Sequence, residues 1–348
     1  MKLSTATWVL CTLLSTTSYA HELAPTNGAT PWTHLEFSND PSNFQFAIVS
    51  DRTGGHRPGV FPAVLERVNL LQPELVMSVG DYIEGYTESA AVLRVQWEEI
   101  DAKIEKLDAP FFYVPGNHDH SNDVMAELWR QRFGRSHYHF VYKNVLFVVL
   151  NTEDPHPADT PEMDAAWARL GEVLRTNPAG ARQFLYTTRE LAPLLGQIGA
   201  AQRDETVRAI KEHADVRWTF LFMHRPIWHK MAPNSFHDIE AALEGRHYTA
   251  FAGHEHSYQF LRRHDHDYMT LGTSGGGWSA APPARQGQFD HFTWVTMRDD
   301  GPVFAHVLAS GVFGKEGLPA ELPGAEFCGE AYRIECRYQK ATPPEVSR

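Results

Sequence analysis

The chain has 348 residues, enough for one large α/β domain with a buried core or for two small domains. Hydrophobic content of 43% and charged content of 21% are ordinary for a soluble globular protein. A formal net charge of −12, with no Lys/Arg run and no basic aromatic stripe, argues against a nucleic-acid surface; such a chain can still take phosphate where a metal supplies the local positive charge.

The first twenty residues read as a signal peptide: Lys2 gives a charged start, Thr7–Leu14 a short apolar core, and Ser18-Tyr19-Ala20 a small-x-small cleavage site. The apolar run falls well short of the roughly 20 residues that span a bilayer. Export, to a periplasm or the medium, is the expectation. Residues 21–43 are rich in Pro, Asn and Thr and read as a surface lead-in. Phe44–Asp51 is predicted as a first buried strand, Phe61–Leu71 as a helix and Leu75–Asp81 as a second strand. Val92, Val95, Trp97, Ile100 and Ile104 have helical spacing, which predicts a long helix over Ser89–Leu107. A strand at Pro110–Val114 and a helix at Asn122–Phe133 complete a βαβ grammar typical of a mostly parallel sheet.

Tyr138–Tyr142 and Leu146–Asn151 flank Lys143-Asn144 as an apparent hairpin. Residues 153–196 are rich in Pro, Asp, Ala and Thr, with short helical patches at Met163–Leu174 and Thr188–Leu195, and read as an insertion and candidate lid. Asp204–His213 is a predicted helix, followed by strands at Trp218–Met223 and Tyr248–Ala252. Four further β runs, Gln259–Arg263, Tyr268–Thr273, His291–Met297 and Val303–Leu308, predict a second, largely antiparallel sheet packed on the first. The organisation expected is one domain over 44–310 with its insertion, then an extension over 311–348. In an exported chain, Cys328 and Cys336 of that extension are expected to form a disulfide.

Five of these strands end in metal-ligand residue types. They deliver Asp51, Gly80-Asp81, Gly116-Asn117-His118-Asp119, His224 and Gly253-His254-Glu255-His256. Carboxyl ends of strands are where open α/β sheets place their ligands. Carboxylate, amide and imidazole donors suit divalent transition metals, and two such ions sharing a carboxylate can bind a phosphoryl oxygen and activate water. Asp81, after a glycine at a strand end, is the candidate bridge. His118 stands beside a ligand, where a general acid would stand.

In these motifs the chain resembles the calcineurin-like metallophosphoesterases, whose marks in order are Asp-x-His, Gly-Asp-x-x-Asp, Gly-Asn-His-Asp/Glu, a lone His after a strand, and Gly-His-x-His. The corresponding stretches are Asp51-Arg52-Thr53, Gly80-Asp81-Tyr82-Ile83-Glu84, Gly116-Asn117-His118-Asp119, His224 and Gly253-His254-Glu255-His256, spread over roughly Phe44 to Leu308. The resemblance implies a four-layer αββα sandwich of two mixed β-sheets flanked by helices. It implies two divalent or trivalent ions (Mn, Fe or Zn), one held by Asp81, Asn117, His224 and His254, the other by Asp51, Asp81 and His256. It further implies hydrolysis of a small phosphorylated substrate, a phosphomonoester, phosphodiester or pyrophosphate linkage, by metal-activated hydroxide, with His118, paired with Asp119 or another carboxylate, as the acid. One place departs from the family pattern: Thr53 stands where the family has histidine, which weakens the first site. His56 in the same loop is the candidate substitute, its direction unreadable beyond Gly54 and Gly55.

Arg52, Arg57 and Arg225 adjoin ligand positions and are candidate phosphate grips, or surface ion-pair partners. His264-Asp265-His266-Asp267 reads as a hairpin turn and Thr273-Ser274-Gly275-Gly276-Gly277 as a tight turn near the site rim. The expectation is an exported metal-dependent phosphoesterase, with specificity carried by the 153–196 insertion. The rival is a catalytically impaired phosphate-ester or metal-binding protein on the same fold, kept open by Thr53.

Overall fold

Alternation along the strands decides the layers. In β1 (Phe44–Val49), Phe44, Phe46 and Ile48 enter one apolar cluster and Ala47 and Val49 another, because successive side chains leave opposite faces of a strand. β5 (Val145–Val149) does the same: Val145, Phe147 and Val149 join the cluster of Phe46, while Leu146 and Val148 join a third. The shared cluster is therefore the layer between two sheets, and the other two clusters are their outer faces.

A computed structural model describes residues 40–156, 160–230, 234–277, 287–309 and 311. The chain divides into two compact units, Met1–Asp40 and Pro41–Arg348, and apart from Asp40 every described residue belongs to the second. The expected signal peptide, most of the lead-in and the Cys328–Cys336 pair lie outside the described residues.

The first sheet adds β2 (Leu75–Ser78), β3 (Phe111–Phe112), β10 (His291–Arg298) and β11 (Gly301–Leu308) in the order β11-β10-β1-β2-β3. β1, β2 and β3 run parallel, and β10 and β11 are antiparallel additions. The second sheet joins β4 (Tyr138–Tyr142), β5, β6 (Trp218–Phe222), β7 (Tyr248–Ala252), β8 (Gln259–Arg263) and β9 (His266–Thr270) in the order β4-β5-β6-β7-β9-β8. Its centre, β5-β6-β7-β9, is parallel, with antiparallel edges at β4 and β8. Aromatic rings fill the space between the sheets: Phe46 meets Phe147 and Phe220 edge-on at 5.3 and 5.2 Å.

Helices α1 (Val60–Leu71), α2 (Ala90–Ile104) and α3 (Asp123–Phe133) cover the first sheet, with Trp97 and Trp129 buried beneath them. Ser89 and Asn122 cap α2 and α3 by accepting the N–H of Val92 and Met125. The insertion forms α4 (Pro161–Thr176), α5 (Pro178–Thr187) and a 3₁₀ segment at Arg189–Leu195, closed around a small core of Ala166, Leu170, Ala181 and Leu191. Its two ends meet where Glu153 bridges Gln197. α6 (Ala200–Glu212) and α7 (Ser235–Ala242) pack on the second sheet, where Ile210, Phe236 and Ile239 are buried. The layers are helix, sheet, sheet, helix, the architecture expected.

Three local readings differ. The late β runs do not form a sheet of their own: β8 and β9 extend the second sheet, while β10 and β11 return to the first. An alternating apolar run fits either edge equally well, so the pattern alone does not choose. β3 is shorter than its apolar run, because the Val114 N–H is taken by Ser78 Oγ and Tyr82 Oη at 3.2 and 2.9 Å rather than by a strand carbonyl. Helices α5 and α7 have no counterpart in the sequence reading; both are short and begin behind an asparagine cap, Asn177 and Asn234.

Candidate metal centre

The five strand ends converge at one end of the sandwich, three from the first sheet and two from the second. Glycines permit the convergence. A Cβ on Gly116 would lie 2.1 Å from Asp81 Oδ1, and one on Gly253 would lie 2.3 Å from Asp51 Oδ2, so neither place admits a side chain without displacing a carboxylate. Asp81 itself has φ +65 and turns off β2 into the site. Asp119 secures that turn. Its Oδ2 accepts the N–H of Asp81 and Gly116 at 2.7 and 3.0 Å, and its Oδ1 accepts those of Tyr82 and Ile83 at 2.9 and 3.3 Å. Asp119 thus ties the β2 and β3 loops together, and its described hydrogen bonds go to backbone rather than to the His118 ring.

Asp51, Asp81 and His224 are fully or almost fully buried, and each presents one ligand atom within 4.8 Å of the other two. His224 donates its Nδ1–H to the Val79 carbonyl at 2.8 Å, which aims Nε2 inward. There Nε2 lies 2.9 Å from Asn117 Oδ1 and 3.2 Å from Asp81 Oδ2. A nitrogen and two oxygens facing one point call for a positive charge between them, a proton or a metal ion. Desolvation opposes a charged His224, but Asp81 prevails and raises its pKa to about 9. Asp81 is correspondingly held below the usual carboxylate range, against its burial, by His224 and by His118, whose N–H donates to Asp81 Oδ1 at 3.0 Å.

His254 and His256 both turn in with positive φ, +70 and +49. The His254 N–H donates to Asp51 Oδ1 at 2.8 Å, and its ring meets that of His224 edge-on at 5.1 Å. Desolvation and the neighbouring Arg225 drive its pKa well below the ordinary histidine value, so its imidazole is neutral and available as a ligand. His256 Nε2 lies 3.4 Å from Asp51 Oδ1, and its Nδ1 bonds the Gly277 carbonyl. Desolvation works against a charged His256, and Asp51 outweighs it to raise the pKa. The donor set fits a transition-metal ion at Asp81, Asn117, His224 and His254. At Asp51, Asp81 and His256 it is one imidazole poorer. Thr53 is buried there, and His56 does not replace the missing ring: its backbone N–H and Nδ1 both engage Glu84, at 3.0 and 2.9 Å. Against partial desolvation, contacts from Thr53, His56 and Gly55 hold Glu84 down at about 2.

His118 Nδ1 bonds the Glu84 carbonyl at 2.7 Å, leaving Nε2 to face the site. A Cβ on Gly54 would meet His256 Cε1 at 2.8 Å and His118 Nε2 at 3.5 Å, so the Asp51 loop passes closely by both rings. Tyr86 lies edge-on to His118 with centroids 4.8 Å apart, and its hydroxyl accepts from Asn117 Nδ2 at 2.8 Å. That bond turns Asn117 Oδ1, the candidate metal-binding atom, toward His224.

Of the three arginines, Arg52 is committed to Glu99 and the Tyr82 carbonyl, and Arg57 to Asp290 and the Gly276 carbonyl. Arg225 does reach the site. It pairs with buried Glu153 at 2.6 Å and places Nη1 3.1 Å from His254 Nε2. The 273–277 turn backs the site, with Ser274 and Gly276 donating N–H to the Asp51 carbonyl at 3.0 Å. His264-Asp265 is the β8–β9 hairpin turn, both residues at positive φ. Sequence reasoning missed Glu84 and Glu153 as parts of the site. Only Glu84 carried a signal, at the last position of its Gly-Asp-x-x motif.

A cavity of about 820 Å³ opens beside the candidate metal ligands, with His254, His256 and Arg225 on one wall and the insertion on the other. Among the described residues, no helix is long and apolar enough to cross a membrane.

The family model described as calcineurin-like phosphoesterase matches residues 44–258. The chain is similar to a dimetal phosphatase from Danio rerio at 14% identity and TM-score 0.56, over 76% of this chain and 96% of that one. It is also similar to PhoD at 11% identity and TM-score 0.51, over 79% of this chain and 73% of that one. At these identities the likeness is one of fold. No curated protein matches the chain.

Proposed function

The chain belongs to the calcineurin-like phosphoesterases, metal-dependent hydrolases of phosphoric esters, and from that premise we propose that it cleaves a phosphomonoester or phosphodiester bond of a small substrate, with His118 as general acid. The observation that carries the reading is the convergence of Asp51, Asp81 and His224, each from a different strand end, on one buried point. Asn117, His224 and His254 would hold one ion with Asp81; Asp51 and His256 would hold the other with the same carboxylate. When bound, such ions (Mn, Fe or Zn by donor type) polarise a phosphoryl oxygen and lower the pKa of water. His118 supports the acid role by its position: Nδ1 is fixed on a backbone carbonyl, and Nε2 faces the same space as His256, free to pass a proton to a leaving oxygen. With no carboxylate on its ring among the described residues, Glu84, through its carbonyl, is the orienting group.

The test is metal content per chain, with hydrolysis of bis-p-nitrophenyl phosphate and p-nitrophenyl phosphate measured on the same sample. Two ions per chain, with kcat lowered about 10²–10⁴-fold by His118→Ala at unchanged metal content, is the expected result. One ion per chain and no turnover after adding manganese, zinc or iron would overturn the hydrolase reading. It would favour a binding protein, the alternative that Thr53 and the engaged His56 support. We also read the chain as exported, on Lys2, Thr7–Leu14 and Ser18-Tyr19-Ala20. N-terminal sequencing of the mature protein should begin at His21, and an intact Met1 would refute it.

A further inference from the structure

Apart from Arg225 and Pro226, the cavity beside the metal ligands has two chemically unlike walls. One is built by the strand-end loops and is polar, with His254, Glu255, His256, Ser257, Gln259 and Gln288. The other is built by the insertion and is apolar: Trp167, Leu170 and Leu174 of α4, Leu185 of α5, and Leu194 and Leu195 of the 3₁₀ segment. Positions 167, 170 and 174 recur at the i, i+3, i+7 spacing of one helix face. Leu170 is shared with the insertion's own core of Ala166, Ala181 and Leu191, against which Leu185 and Leu194 also pack, whereas Trp167 and Leu174 lie outside that core. Trp167 and Leu174 are 57% and 52% exposed, an unfavourable place for large apolar groups unless something covers them.

Resting on the phosphoesterase reading, we infer that the ester group of the substrate is an aliphatic chain, alkyl or acyl, lying along this apolar wall while its phosphate faces the metal ligands. The chemistry selects a chain over a nucleoside. Reading a base takes hydrogen-bond partners at its edges, whereas the insertion's side of the cavity offers leucines, an alanine and one tryptophan. An aliphatic chain needs only apolar surface, and the wall begins beside His254 and His256, so one molecule can reach both.

The experiment compares three p-nitrophenyl phosphodiesters on the metal-loaded enzyme: the methyl ester, the decyl ester below its micelle concentration, and the thymidine 5′ ester. If the chain lies on the wall, kcat/KM rises with chain length, by up to about fourfold per methylene for full burial, and most of the rise sits in KM. The double substitution Trp167→Ser/Leu174→Ser, at two exposed positions, should collapse the decyl-to-methyl ratio toward one. Equal kcat/KM for methyl and decyl esters, a preference for the thymidine ester, or a decyl preference that survives the double substitution would each overturn the inference while leaving the hydrolase reading intact. No turnover of any of the three would overturn the inference, and the hydrolase reading falls with it only if p-nitrophenyl phosphate is not turned over either.

Discussion

Tyr86→Phe removes one oxygen atom and tests whether that oxygen sets the metal site. The Tyr86 hydroxyl accepts from Asn117 Nδ2 at 2.8 Å, and the amide so fixed points Oδ1 at a spot 2.9 Å from His224 Nε2. An asparagine binds metal only through its oxygen, so a flipped amide presents NH₂ to the ion and repels it. Phenylalanine keeps the ring that lies against His118, and Tyr86 is 60% exposed, so the fold should not notice the change. The lost bond is worth about 0.5–1.5 kcal/mol net, which corresponds to roughly 2- to 12-fold in metal affinity; losses of 10–100-fold are the usual range when a partner of a metal ligand is removed. The assay is titration of metal-free protein with zinc or manganese against a competing chelator, alongside thermal melting without metal. The expected result is weaker binding of one ion at unchanged metal-free melting. Affinity within twofold of the parent would refute the claim that Tyr86 orients Asn117.

Asp119→Asn should unfold the protein more readily, because an NH₂ group would face two of the four N–H donors that the carboxylate now accepts; the cost is about 2–6 kcal/mol, read from urea denaturation. A loss under about 1 kcal/mol together with a displaced pH–rate profile would show instead that Asp119 acts on His118. Gly116→Ala should strip the site, since its Cβ would sit 2.1 Å from Asp81 Oδ1; metal content equal to the parent's would refute this. Burial lowers His306 to about 4, below the ordinary histidine value of about 6.5. The unfolded chain therefore binds this proton first, so the stability from the neutral ring is complete above about pH 6.5 and declines as pH falls toward 4. His306→Gln should flatten the pH dependence of stability across that window, and an unchanged slope would refute the assignment.

The candidate ligand residues stood out in the sequence because two independent signals coincide in them. Asp51, Asp81, Asn117, His224, His254 and His256 are of metal-binding type, and each follows an apolar run that had to be a strand. Loop geometry left no such trace. His56 and Glu84 engage each other because Gly54 and Gly55 adopt φ +77 and +85, a choice that the glycines permit but do not announce. Tyr86 meets Asn117 across 31 positions of chain through a residue at φ +48 that is not glycine. Arg225 was visible as a neighbour of His224, but its partner Glu153 lies 72 positions away at the foot of the insertion. The apolar face of α4 was present in the sequence as periodicity, and only folding shows that Leu170 fills the insertion's core while Trp167 and Leu174 stay exposed beside the cavity.

The return of β10 to the first sheet has a consequence for how the molecule is made. Phe44 pairs with Met297 and Val49 with Phe292, so the strand that leads into Asp51 has its neighbour on one side supplied some 250 positions later. During synthesis that edge of β1 stands bare, offering unpaired N–H and C=O groups, until residues 291–298 emerge. Contacts so distant in sequence close slowly. Every candidate ligand is already translated by residue 256, yet the sheet that carries Asp51 and Asp81 is still incomplete. A chain cut at residue 258, where the family match ends, would retain all six candidate ligands and lack β8, β9, β10 and β11. The last strands bring no chemistry to the site, but they set the moment at which it can first exist.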